Sequence, residues 1–205
     1  MLMWWNKVQD LGRQAPANNR GITDPSAVVA SSAILNEATG PISIGARTRI
    51  CAGAIIEGPV QIGSDCLIGT NALVRGPCMV GDDVRIGYAA ELKQAQIGSG
   101  VRIGPMCFVA DSIVDTGAYL GAMVRTSNHR LDGKPVTVID EEGAAICTQQ
   151  EKLGCWIGAG TALGIQVIVL PGRVVPPDSI FEPRMTIARN HPPGRYRLIQ
   201  AIESY

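Results

Sequence analysis

The sequence predicts an all-β chain wound as a coil of short parallel strands. Three observations carry this reading: an aliphatic residue at every sixth position, a glycine that often follows it, and a scarcity of aromatic side chains. Ile44, Ile50, Ile56, Ile62, Ile68, Val74, Val80, Ile86 and Leu92 fall at a spacing of six without a miss, and Ile22, Val28 and Ile34 fit the same spacing upstream. Neither a helix, with its period of 3.6, nor a half-buried strand, with its period of 2, produces such a series. The pair Ile-Gly recurs at 44, 62, 68, 86, 97, 103 and 157. Aromatics make up 4 % of the chain and glycines number 24, which suits a narrow interior filled by Ile, Leu and Val with tight corners outside it.

Each hexad reads as a short strand and a turn, with the aliphatic side chain pointing inward. Three hexads complete a triangular coil, so the chain returns to the same side one rung, roughly 4.8 Å, higher. After a one-residue slip the series resumes at Ile97, Ile103 and Val109, and after another at Val114 and Leu120. It then breaks and restarts at Ile157, continuing through Leu163, Val169, Val175, Phe181 and Ile187. The expected organisation is an N-terminal cap over residues 1–20, a coil over 21–188 with an excursion loop at about 124–152, and a C-terminal tail over 189–205. Open ends of such a coil expose unpaired strand edges. Short helical segments are therefore expected as caps, with Trp4 and Trp5 packing over the first end.

Lys and Arg together number 18, as do Asp and Glu. This balance gives no electrostatic footprint for nucleic acid or an anionic membrane. No run approaches the length of a membrane span, and the first ten residues lack the apolar stretch of a secretion signal. The six cysteines, at 51, 66, 78, 107, 147 and 155, form no CxxC pair. Mostly in apolar surroundings, they read as reduced core thiols of a cytoplasmic protein, with no metal site expected.

In the unbroken series from Ile44 to Leu92, three charged residues occupy the position where most hexads carry glycine: Glu57, Arg75 and Lys93, each 18 residues from the next. They stack on one edge of the triangle. Such a stack is either a solvated charge ladder of little consequence or a basic rim for an anion, with Glu57 orienting Arg75.

The hexads IGSDCL, IGTNAL and IGSGVR resemble the hexapeptide-repeat family, which folds as a left-handed parallel β-helix; the resemblance covers about residues 22–188. LVRG at 73, GPMCFVAD at 104–111, SNHRLDGK at 127–134 and EKLGCWIGAGTALGIQVIVLPG at 151–172 are similar to the acetyltransferase domain of sugar-1-phosphate nucleotidylyltransferases. That resemblance implies active-site roles around a sugar phosphate for Arg75, Lys93, Asn128 and Lys134. Three positions depart: the family's catalytic histidine falls on Pro105, its tyrosine on Phe108 and an asparagine on Tyr119. No Gly-rich nucleotide loop precedes the repeats.

RTSNHRLDG, at 125–133, sits where the excursion begins. Thr126, His129 and Asp132 resemble the loop motif of hexapeptide acetyltransferases acting on sugars or antibiotic hydroxyls. Transfer from a thioester to a hydroxyl or amine needs a base near neutral pKa, and an imidazole supplies it. His129 is thus the expected catalytic base, with Asn128 and Asp132 orienting the acceptor or the loop. Arg75, Lys93 and Lys134 would hold an anionic acceptor or the coenzyme. The family implies acetyl-coenzyme A or another acyl-coenzyme A as donor, with Ala122, Gly158 and Ala159 lining its channel. It also implies a homotrimer with sites between subunits. His191 has no such setting and reads as a surface residue. The zinc-type carbonic anhydrases of this fold need three histidines, and this chain has two. The competing expectation is a non-catalytic trimeric scaffold or regulatory subunit, one form of which partners a separate nucleotidylyltransferase; Pro105 and Phe108 speak for it.

Overall fold

The computed structural model describes residues 3–11, 21–140 and 142–199. One helix, Trp4–Asp10, precedes a succession of strands that are mostly two or three residues long. They stack in parallel: Arg49 pairs with Leu67, Leu67 with Arg85, Arg85 with Arg102 and Arg102 with Tyr119. Contacts between successive coils join residues 18 apart at Arg47–Asp65 and 17 apart at Asp111–Asn128. Where the excursion intervenes, Ser112 and Cys155 meet at a separation of 43. The chain is therefore a three-sided β-helix.

One side is a nine-stranded sheet, and the other two are merged into a sheet of thirteen. The merger has a local cause. The strands Glu91–Ile97 and Phe108–Val114 run unbroken around one corner. Gln94 and Asp111 turn it as single residues with φ of 46° and 49°, whereas the two preceding coils turn it at Gly58-Pro59 and Gly76-Pro77. The corner is one residue shorter, and this is the slip in the aliphatic series after Leu92 and Val109.

Every aliphatic or aromatic residue of the series from Ile44 to Ile187 faces the interior, none more than 4 % exposed. Burying one such side chain stabilises the fold by about 1.5–3 kcal/mol. Glycine follows because the corners stack closely: a Cβ on Gly87 would lie 2.7 Å from backbone atoms of Gly104 and Pro105 one coil on.

The first coil differs from expectation. Ile22, Val28 and Ile34 are 68, 59 and 55 % exposed. Their neighbours face inward instead, for Val29 pairs with Ile50 and Leu35 with Ile56. A one-residue change of register reverses every side chain of a strand, and the spacing of six continues into this coil on the wrong face.

The caps also need correction. The N-terminal helix does not cover the end of the coil. It lies against the strands Glu91–Ile97 and Phe108–Val114 in the middle of the molecule. Trp4, Trp5 and Val8 form a second core there with Ile113, Val136, Val138 and Leu153, and Trp156 and Val174 pack against it. The expected C-terminal helix is absent from the described residues. The strand Arg195–Tyr196 instead adds a further parallel rung on Ile180–Phe181. Tyr196 stacks on Phe181 with ring centroids 4.7 Å apart, and His191 packs beside both. These rings fill the last turn of the interior.

All six cysteines are free thiols. Cys78 and Cys155 are buried, and burial pushes each thiol up to about 12. Cys147, in contrast to the expectation of core thiols, is exposed.

Candidate active site

Several of the candidate site residues gather at the shortened corner. Glu57, Arg75 and Lys93 stack on its edge in successive rungs, as Glu57 pairs with Arg75 and Arg75 with Lys93 in strand register. The side-chain bonds do not follow the stack. Arg75 donates from Nη2 to Glu91, not to Glu57. Outward-facing Glu91 is two residues from Lys93 on the same strand, so strand alternation brings it to the guanidinium. The Nε of Arg75 is buried without an acceptor.

Lys93 lies 3.5 Å from Asp111, a carboxylate with 2 % of its side chain exposed. Asn128 donates from Nδ2 to the same carboxylate. A buried carboxylate needs such partners, since desolvation disfavours its charge. Asp111 thus ties the basic rim to the base of the excursion, a role that sequence reasoning missed. Its signal was present: it stands where the hexad loses a residue, on the last position of GPMCFVAD.

The excursion leaves the coil at Asn128 and returns at Leu153. Val124 is buried and Arg125–Thr126 still pairs with Phe108 below and with Ile168–Val169 above. The loop therefore occupies about 128–153 rather than 124–152. Buried hydroxyls fasten its two ends. Thr126 Oγ1 accepts from the Ala110 amide at 2.8 Å, and Ser112 Oγ accepts from the Cys155 amide at 3.0 Å. The Leu153 amide donates to the Asn128 carbonyl at 2.9 Å, and the Gly154 amide to Asp111 at 2.8 Å. Gly154 is required at this crossing, because a Cβ would lie 2.0 Å from Ser112 Oγ and 2.2 Å from the Ala110 carbonyl. His129 and Lys152 bridge in antiparallel fashion, and a hairpin of Thr137–Ile139 with Ala145–Cys147 extends the loop.

His129 is exposed, and among the described residues nothing bonds to its imidazole. It lines a groove of about 530 Å³ with Arg130, Asp132 and Arg173, over an apolar floor that includes Val136, Leu170 and Pro171. Arg130 grips Asp132 with two bonds of 2.9 and 2.6 Å. This guanidinium holds the Asp132 carboxyl well below the usual carboxylate range, helped by the Lys134 amide. Asp132 is thus a clamp within the loop, and Thr126 is bound into the backbone at its foot. The ammonium of Lys134 is exposed and pairs with no carboxylate among the described residues.

The site residues expected from sequence fall into groups. Lys93 and Asn128 meet at Asp111, and Arg75 is paired separately with Glu91. His129 and Asp132 share the groove. Lys93 is in register with Ala110, and Phe108 with Arg125. The groove residue Ser127 is therefore two rungs above Lys93, about 10 Å away. Ala122, Gly158 and Ala159 do not come together in one chain. The carbonyl of Ala122 accepts from Gln166 at one corner, and that of Ala159 from Asp178 at another. The amides of Ala122 and Ala159 have no acceptor among the described residues. Pro105 is exposed at the Ala122 corner, and Tyr119 is 53 % exposed on the nine-stranded side.

Among the described residues, no helix is long and apolar enough to cross a membrane, and no cluster of three or more His, Cys, Asp or Glu could hold a metal.

Known proteins share long stretches of this sequence. The GMPPB C-terminal domain family matches residues 56–150, a span that includes Arg75, Lys93, Asp111 and His129. An uncharacterized acetyltransferase, YaiX of Escherichia coli strain K12, is 46 % identical over 204 residues, covering 97 % of this chain and 88 % of that protein. A bifunctional sugar-1-phosphate nucleotidylyltransferase/acetyltransferase of Sulfurisphaera tokodaii is 35 % identical over 84 residues, 41 % of this chain and 21 % of that one. Among solved structures, the N-acyltransferase AntD of Bacillus cereus, in complex with dTDP-4-amino-4,6-dideoxyglucose and coenzyme A, is 14 % identical over 88 % of this chain and 80 % of that chain, with a TM-score of 0.36. The three-sided coil is a left-handed β-helix, and the 46 % identity with an acetyltransferase over nearly the whole chain gives the class, an enzyme of acyl transfer. The chain belongs to the hexapeptide-repeat acyltransferase family, together with YaiX.

Proposed function

We propose that this enzyme transfers an acetyl group from acetyl-coenzyme A to a hydroxyl or amine of a small sugar or sugar phosphate, with His129 as general base. The observation that carries the reading is the exposed imidazole of His129, unbonded within the described residues, at the wall of the groove. The coenzyme supplies an acyl group as a thioester. His129 takes the acceptor proton as the acceptor's oxygen or nitrogen bonds to the thioester carbonyl carbon. The imidazolium returns that proton to the departing sulfur as the carbon–sulfur bond breaks. The free amides of Ala122 and Ala159 fit a polar, amide-bearing arm. Arg75 and Lys93 suit an anionic group of the acceptor, and the likeness of this segment to a sugar-1-phosphate nucleotidylyltransferase/acetyltransferase supports a phosphorylated sugar. Family membership favours this reading over a non-catalytic scaffold. The six free thiols support a cytoplasmic setting.

Replacing His129 by Ala should lower kcat by about 10²–10⁴-fold while leaving coenzyme A affinity unchanged. Turnover kinetics of both proteins, beside calorimetric titration of coenzyme A, check this. An unchanged rate in His129→Ala removes the base from this reading.

The assembly is proposed as a homotrimer. Ala122 and Ala159 stand at two corners of one coil, separated by a side of the triangle, about 20 Å at most. Both can serve a single donor arm when neighbouring subunits supply them, and flat-sided coils close readily about a threefold axis. Sedimentation should give a trimer at micromolar concentration; a fully active monomer would overturn the shared cleft.

A further inference from the structure

The groove beside His129 contains a cation that no carboxylate among the described residues compensates. Two guanidinium groups face it, and they differ in their partners. Arg130 is neutralised by the two-bond pairing with Asp132. Arg173 meets no carboxylate among the described residues. Its Nε donates to the Pro171 carbonyl at 3.1 Å and its Nη2 to the Thr137 carbonyl at 3.0 Å. These two carbonyls belong to different parts of the molecule, Pro171 to the coil and Thr137 to the excursion hairpin. The guanidinium is therefore held in one orientation, and Nη1 is left with no acceptor. Burial opposes its charge, and the Arg130 cation opposes it further. An arginine does not relieve such a cost by losing its proton. An anion entering the groove relieves it.

The surroundings restrict what that anion is. The floor is apolar, so the ligand carries its charge on a compact group. Asp132 already occupies Arg130, which leaves one guanidinium edge for one oxyanion. We propose that Arg173 makes this groove a binding site for a single oxyanion of the acceptor, either a carboxylate or a phosphate ester, within reach of His129. The site is distinct from Arg75 and Lys93, which lie two or more rungs lower on the same edge. The assignment to the acceptor rests on the acyl-transfer reading of His129.

The chain has two histidines, so ring resonances report directly. Inorganic phosphate and acetate would be titrated in turn at fixed pH and ionic strength. The His129 ring signal, identified by its loss in His129→Ala, should shift saturably while that of His191 stays in place. Arg173→Gln keeps a donor for the Thr137 carbonyl but removes the charge, and it should weaken the binding of both anions about tenfold. Arg173→Lys should recover most of the affinity, and Arg49→Ala, on the nine-stranded side away from the groove, should leave it unchanged. Absence of a saturable shift, or equal affinity in Arg173→Gln, overturns the site. Saturating coenzyme A should not alter phosphate affinity; competition would give the oxyanion to the donor and overturn the assignment to the acceptor. These readings need no turnover. Normal activity in His129→Ala, with calorimetry still giving weaker phosphate binding in Arg173→Gln, would reject the base and leave the anion site standing.

Discussion

The molecule has two cores, and they are built on different rules. The first runs the length of the coil, where each hexad contributes one inward residue and the next coil repeats it. The second is lateral and lacks a period. It gathers Trp4, Trp5 and Val8 from the N-terminal helix, Val136 and Val138 from the excursion, and Ile113 and Leu153 from the corner where the excursion returns. The first core holds the fold. The second holds the hairpin that forms one wall of the groove, since Val136 belongs both to that core and to the groove floor. A helix expected to shield a coil end thus acts as a strap on the excursion loop.

This contrast can be tested with one pair of variants. Leu92→Ala removes a fully buried side chain from the periodic core and should cost about 2–5 kcal/mol. Each coil packs on its neighbours, so the loss should appear as a lower melting temperature of the whole chain. Trp4→Ala removes a larger side chain, 3 % exposed, from the lateral core. It should move the melting transition much less, and should raise amide exchange across Thr137–Ile139 and the KM for the acceptor. Differential scanning calorimetry beside hydrogen exchange separates the two outcomes. A Trp4→Ala variant that lowers the melting temperature as far as Leu92→Ala, with the hairpin still protected, would merge the two cores into one cooperative unit.

The same contrast decides what could be read from sequence. The coil was legible because its constraint is local and repeated: an inward aliphatic every six residues, and a glycine where corners stack. The break after Leu120 located the excursion to within a few residues. It erred at the start because Val124 and Thr126 continue the coil in register, whereas polarity suggested a loop. The first coil misled for a related reason, as Ile22, Val28 and Ile34 keep the spacing but stand on the outer face. His129 and the Arg75–Lys93 stack were recognisable as unusual residues at defined repeat positions. Asp111 and Arg173 were not, for their significance comes from contacts between segments far apart in the chain. Arg173 reaches Thr137 across 36 residues, and Asp111 meets Lys93 and Asn128 from adjacent coils. Glu57 was paired with Arg75 on spacing, yet Glu91 took that place through strand alternation.

The smallest expected effect concerns the clamp within the loop. Arg130 depresses the Asp132 carboxyl below its ordinary value. A group whose folded pKa is depressed contributes order that is present above its unfolded value, near 3.9, and is lost as the pH falls toward the folded value. The loop segment around residues 130–134 should therefore loosen progressively below about pH 4, while the coil, held by its ladder of buried aliphatic side chains, keeps its strand signals. The pair is exposed to solvent, so salt should shift the loosening to higher pH. Asp132→Asn should show the loosened loop already at neutral pH and lose the acid dependence. The measurement is protease nicking of the loop as a function of pH, beside far-ultraviolet circular dichroism of the coil. Equal nicking of wild type and Asp132→Asn at pH 7 would mean that the second core, not the ion pair, fixes this segment, and that the strap formed by Trp4, Trp5 and Val8 is sufficient to order the groove wall.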